Sequence, residues 1–159
     1  MNNVPNTSSM PAANPDSAQL AAQLHDLRPQ NGLSQDKLDC AYAIGYNWLQ
    51  LGDFEKSRSA FETLWGQCPD VAPYAAGLAH SALGQGQADV AVNYFLIAAG
   101  LDENNAGYML GLGRAFQASK LPGHARLALD IAQAMAEQVK DHSTAEMARA
   151  CLQLMEQPA

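Results

Sequence analysis

Three consecutive segments of this chain, residues 38–71, 72–105 and 106–139, align on one another without a gap, and this 34-residue period constrains the fold more than any other feature. The seventh and eighth places hold Ile44-Gly45, Leu78-Ala79 and Leu112-Gly113, and the eleventh holds Trp48, Ala82 and Phe116. Gly52, Gly86 and Lys120 stand at the fifteenth, where the two glycines mark a turn. Ser57, Ala91 and Ala125 follow at the twentieth, Phe61, Phe95 and Leu129 at the twenty-fourth, and Leu64, Ala98 and Ala132 at the twenty-seventh. Small residues at eight and twenty allow two helices of one unit to approach closely. Large residues at twenty-four, and at eleven in the outer units, fill the space between units.

A period of this length with these residues is the tetratricopeptide pattern, two antiparallel helices per unit. One helical pair cannot bury its own apolar face, so several must stack. The expected fold is all-α: a superhelical stack of three such repeats over residues 35–140. Pro69 closes the first unit, and Asp102-Glu103 take the place of the usual proline in the second. Alanine and leucine dominate the apolar residues and β-branched residues are few, which favours helix over sheet.

The flanks complete the layout. Residues 1–15 are rich in Asn, Pro and Ser and read as a disordered tail. Residues 16–34 read as an N-terminal helical arm, with Asn14 as its cap, Pro15 in its first turn and Leu20, Leu24 and Leu27 on one stripe. That stripe needs a partner surface, either a second copy of the chain or the body of its own domain. Ser34 is placed to cap the next helix. Residues 141–159 read as a C-terminal capping helix, opened by a Ser143/Glu146 capping box, with Met147, Cys151, Leu154 and Met155 along one face.

Composition excludes several function classes. The net charge is −7 and the nine basic residues are scattered, which is unfavourable for nucleic acid or an anionic membrane. No apolar run reaches the length of a membrane span. The first residues lack the basic start and apolar stretch of a signal peptide, so a cytoplasmic location is expected. Cys40, Cys68 and Cys151 are widely spaced and odd in number, with no metal-binding spacing; they read as reduced, small apolar residues.

Three motifs suggest chemistry and fail on context. Gly111-Leu112-Gly113-Arg114 resembles a phosphate loop, but Phe116 occupies the place of the third small residue and no strand-like run precedes it. Its glycines read as packing residues, with Gly113→Ala expected to be tolerated as Ala79 is, and Gly113→Leu expected to split the third unit. Ser34-Gln35-Asp36-Lys37 fits S-x-x-K without its companion motifs. His25, His80, His124 and His142 form no metal-ligand spacing. No catalytic residue, metal or cofactor is expected, and the chain reads as a non-enzyme.

The surface available for work is the concave side, lined by the first helix of each unit. Positions five, nine and twelve fall about 100° around from the core positions. They are Tyr42, Tyr46 and Leu49, then Ala76, His80 and Leu83, then Leu110, Arg114 and Gln117. An apolar groove with few polar handles suits an extended peptide whose alternate side chains enter pockets. Each buried anchor contributes roughly 1.5–3 kcal/mol, so two or three give affinity in the micromolar range after ordering costs.

Over residues 36–156 the chain resembles the LcrH/SycD-type class II chaperones of bacterial type III secretion. The resemblance is carried by AYAIGYNWLQLGDFEKSRSAF, YAAGLAHSALGQGQADVAVNYF, IAAGLD and LALDIAQAMAEQ. It implies a cytosolic chaperone that keeps hydrophobic translocator proteins soluble before export, binding a short extended segment of the client in the groove. Tyr42 matches a groove tyrosine of that family and Tyr46 a neighbouring aromatic, while Leu49 stands where many members carry a further tyrosine. The resemblance also implies a homodimer through the N-terminal arm, with Leu20, Leu24 and Leu27 at the contact. Two alternatives stay open: a chaperone for the needle subunit, which would lay a helix in the groove, and a general tetratricopeptide scaffold. A scaffold that clamps an acidic C-terminus needs several basic groove residues, and Arg114 is nearly alone.

Overall fold

The computed structural model describes residues 15–157. The expected tail therefore lies outside the described residues except for Pro15, as does Asn14, the expected first cap. Among the described residues the chain is all-α, with eight helices and no strand. They are α1 (Pro15–His25), α2 (Gln35–Gln50), α3 (Phe54–Gln67), α4 (Ala72–Gly84), α5 (Ala88–Leu101), α6 (Ala106–Ala118), α7 (Pro122–Gln138) and α8 (His142–Glu156). Helices α2/α3, α4/α5 and α6/α7 pair as hairpins, and α8 packs on α7 and α6.

Local chemistry sets the helix ends. Asp53, Asn105 and Asp141 accept, respectively, from the backbone N–H of Lys56, Gly107 and Thr144, each at 3.1 Å. Asp141, not Ser143, thus caps α8, because the helix begins two residues earlier than the capping-box spacing implied. Ser34 stands at the cap of α2 in an extended conformation but makes no side-chain capping bond. Pro122 opens α7, where its missing N–H costs nothing. The turn inside each hairpin places its fifteenth residue in the left-handed region: Gly52 and Gly86 at φ 76° and Lys120 at φ 59°. Glycine adopts this without strain; the lysine does not.

The twenty-fourth position is the hub of the packing. Phe61, Phe95 and Leu129 are essentially sealed from solvent. Phe61 lies against Gly45 of its own hairpin and Gly77 of the next; Phe95 lies against Gly111 of the next, and Leu129 against Gly113 of its own. A Cβ on Gly113 would stand 2.6 Å from Leu129 Cγ, so Gly113→Ala forces a sealed core side chain to move. The expectation that alanine would be tolerated there is corrected: Ala79 serves in the second hairpin, but in the third, branched Leu129 occupies the space.

Two buried hydroxyls tie the first two hairpins together. Ser57 Oγ lies 3.0 Å from the Gly45 carbonyl and 2.9 Å from Ser81 Oγ, which lies 2.8 Å from the Gly77 carbonyl. Two protons serve three contacts, so the chain of bonds runs toward one carbonyl or the other at any instant.

The stack is curved. Helices α2, α4 and α6 touch one another, whereas α3, α5 and α7 do not, which puts the first set on the inner side. The arm, α1, lies on α5 in the outer layer, with Leu20 against Gly100. Arg28 grips Asp70 with two bonds of 2.7 and 2.8 Å, and His25 Nδ1 lies 3.0 Å from the same carboxylate. The described arm therefore leaves the concave face open. Its leucine stripe is also divided: Leu20 and Leu24 are partly buried in their own chain, while Leu27 is 67% exposed.

Candidate functional site

Two neighbouring hollows open on the inner face of α2, α4 and α6. The larger, about 490 Å³, is lined by Tyr46, Leu49, Gln50, Phe54, His80, Leu83, Gly84, Phe95, Gly111 and Arg114. The smaller, about 200 Å³, is lined by Tyr42, Tyr46, Leu49, Phe61, Pro73, Ala76, Gly77, His80 and Tyr108. Tyr46, Leu49 and His80 belong to both, so the hollows are two lobes of one groove. The spacing i, i+4, i+7 places Tyr42, Tyr46 and Leu49 along one face of α2, and Ala76, His80 and Leu83 along one face of α4.

Seven of the nine residues expected from the repeat register meet here: Tyr42, Tyr46, Leu49, Ala76, His80, Leu83 and Arg114. Leu110 does not. It is buried against Leu129, Ala132 and Ala148, because α8 follows the third hairpin and draws position five into the core. Gln117 lines a separate hollow with Lys120, Pro122 and Met155.

The groove floor has a source that reading one helix at a time does not reveal. Phe54, Phe61 and Phe95 belong to the outer-layer helices α3 and α5, yet all three line the groove. They reach it where the inner helices carry no side chain: Phe54 at Gly84, Phe61 at Gly77 and Phe95 at Gly111. A Cβ at any of these glycines would meet the ring of its phenylalanine. The signal was present as Gly77 and Gly111, one period apart, each paired with a large residue at position twenty-four of the preceding unit. Tyr108 was missed because it stands at position three, two residues before the expected stripe begins and off its face.

The tyrosines differ in role. Tyr42 is held by its neighbours, with ring centroids 5.9 Å from Tyr74, 5.8 Å edge-on from Phe61 and 6.4 Å stacked from Tyr46. Burial raises its pKa. Tyr46 is half exposed and offers its ring to a ligand. Tyr108 is pushed up to about 12, by burial first and then by the charge of Asp102. Both Tyr42 and Tyr108 remain neutral phenols able to donate and accept.

His80 stands at the junction of the lobes, its ring edge-on to Phe95 with centroids 4.9 Å apart. Burial, aided by the charge of Arg114, lowers its pKa to about 4. It is neutral at physiological pH, and its ring makes no hydrogen bond to another described residue. A neutral imidazole so placed offers one donor and one acceptor to a peptide backbone. The described residues contain no cluster of side chains able to hold a metal, and no described helix is long and apolar enough to cross a membrane.

No protein-family model matches the chain, and no curated protein matches it in sequence. Solved structures do match. PcrH in complex with the chaperone-binding region of PopD superimposes with a TM-score of 0.74 at 24% identity, covering 80% of this chain and 96% of PcrH. SycD of Yersinia enterocolitica in complex with a peptide of the translocator YopD gives 0.66 at 20% identity, covering 80% and 100%. A T3SS complex from Aeromonas hydrophila gives 0.76 at 20% identity, covering 87% and 95%. With near-complete coverage of each neighbour, the chain has the fold of the type III secretion translocator chaperones SycD and PcrH.

Proposed function

We propose that this protein is a non-catalytic cytoplasmic chaperone of a bacterial type III secretion system. It binds an extended apolar segment of a translocator in its concave groove and keeps that client soluble before export. The observation that carries this reading is the open two-lobed groove, lined by Tyr, Leu, Phe and Ala side chains together with Gln50, His80 and Arg114. Support comes from the shared fold, since PcrH is solved with segments of PopB and PopD and SycD with a peptide of YopD. An extended segment places alternate side chains on one face, which suits two adjacent lobes.

Co-expression with a candidate translocator tests the reading. The chaperone should move an otherwise insoluble translocator into the soluble fraction, and Tyr46→Ala or Leu49→Glu should abolish this while leaving the chaperone's melting temperature nearly unchanged. Tyr42→Ala is a poor probe, because Tyr42 packs against the core around Phe61 and Tyr74. Solubilisation that survives Leu49→Glu would reject the groove as the client site.

A homodimer through α1 belongs to the same reading. Leu20 already packs within its own chain, so the contact would centre on Leu27. Sedimentation should show Leu27→Asp shifting the protein toward monomer.

A further inference from the structure

The chain carries 16 acidic and nine basic residues, yet neither lobe of the groove is lined by an Asp or a Glu. The lining contains one permanent cation, Arg114. Four of the chain's five arginines, Arg28, Arg58, Arg126 and Arg149, pair with carboxylates at 2.7–3.3 Å. Arg114 has no carboxylate partner among the described residues and projects, exposed, from the middle of α6. Around it the lobe is lined by Leu49, Phe54, Leu83 and Phe95, with Tyr46, Gln50 and neutral His80 as its uncharged polar side chains. Apolar walls reduce screening, so a charge pair formed there is stronger than one on an open surface. Its field is already felt across the lobe, where it helps to hold His80 unprotonated.

We propose that Arg114 selects an internal Asp or Glu side chain of the client, set within about two residues of the apolar anchor that fills the larger lobe. The preferred client segment is therefore mixed, apolar at the anchors and acidic beside one of them. A guanidinium matches a carboxylate with two parallel bonds, which fixes register as well as adding affinity. A positive spot in a groove of an otherwise acidic protein also steers such a segment toward the correct lobe. This inference rests on the groove being the client site, as proposed above.

Random linear peptides with amidated C-termini, displayed on beads and screened against the full chain, test it; amidation removes the terminal carboxylate as a competing source of the same chemistry. Peptides retained by the wild type should share apolar anchors and an Asp or Glu at a fixed offset. Those retained by Arg114→Gln should keep the anchors and lose the acid, and those retained by Arg114→Glu should carry Lys or Arg at that offset. For one selected peptide, Arg114→Gln should raise Kd about tenfold, as should the acid-to-amide change in the peptide, and the two together should add nothing more. Added salt should weaken wild-type binding more than that of Arg114→Gln. Anchors recovered equally by all three proteins with no acid preference would overturn the role of Arg114 and leave the groove intact. Peptide binding indifferent to Leu49→Glu would overturn the groove itself.

Discussion

Replacing Gly111 by alanine tests the central packing claim, that an outer-layer ring reaches the groove through a gap in the inner layer. Alanine in place of a helix-interior glycine gains up to about 1 kcal/mol from backbone propensity alone. Gly66, in α3, provides the reference, since a Cβ there meets nothing within 4 Å. Gly66→Ala should thus raise stability by about 0.5–1 kcal/mol, near its C-terminal helix position. At Gly111 the same methyl enters the space of the Phe95 ring, which is wholly buried among Ala79, Ala82, Ala91, Leu112, Ala115 and Ala128. The ring must tilt within a filled core, and overpacking of this kind costs about 1–3 kcal/mol. The two alanine variants should therefore differ by about 1–3 kcal/mol. At about 2–4 °C per kcal/mol for a chain of this size, Gly111→Ala should melt about 2–12 °C below Gly66→Ala. Thermal unfolding followed by far-ultraviolet circular dichroism measures this directly. If Gly111→Ala melts at or above Gly66→Ala, Phe95 is not seated on Gly111 and the account of the groove floor fails.

Other parts of the structure give separate tests. Lys120→Gly should stabilise the protein by about 0.5–1 kcal/mol, since it relieves a left-handed lysine at the site where Gly52 and Gly86 serve the other hairpins; denaturant unfolding reads it. Asp70→Asn should loosen α1 without unfolding the stack, seen as faster hydrogen exchange confined to the arm, because it weakens the grip of Arg28 and His25. Burial raises the Asp70 pKa, but bonds from Arg28 and His25 outweigh it and hold the group below its ordinary 3.8. That contribution is present above pH 3.8 and fades as pH falls through the lower folded value. His80 acts in a higher window: with its pKa lowered from 6.5 to about 4, the unfolded chain binds the proton first. Stability should be full above pH 6.5 and fall toward pH 4 by about 3 kcal/mol relative to His80→Gln.

The repeat made most of the architecture legible, because a fixed period records which residues must be small or large at each helix crossing. Most places where the sequence misled share a cause: they needed two elements at once. Leu110 shares position five with Tyr42 and Ala76, but only in the third hairpin does α8 cover that position. Gly113 matched Ala79 by register, yet its tolerance is set by Leu129 across the helix pair rather than by its own place in α6. Ser143 is the local exception: its capping pattern lost to Asp141, two residues earlier on the same helix end. Positions nine and twelve transferred well in the first two units because there they project from the inner face of the curve. The contributions of Phe54 and Phe95 come from the opposite layer, so they are legible only when an inner-helix glycine, Gly84 or Gly111, is paired with the ring that faces it.

That origin of the floor bears on how the groove works. Phe61 and Phe95 each hold one hairpin against the next and also form part of a lobe wall. Their positions are fixed by repeat packing before any client arrives, so little ordering cost remains for the floor when a side chain enters. The exposed partners, Tyr46 and Arg114, retain the freedom to adjust to the client. A side chain seated in the larger lobe would lie over the sealed Phe95 ring and touch His80 and Leu83 of α4 and Arg114 of α6, so it would bridge the second and third hairpins that the ring spans. Occupancy should therefore strengthen the joint between hairpins as well as hold the client. By linkage, a client that binds only the assembled stack raises its stability by an amount set by concentration over Kd. The protection should appear first in slower hydrogen exchange along α5 and α6, the two helices whose contact Phe95 and Gly111 define.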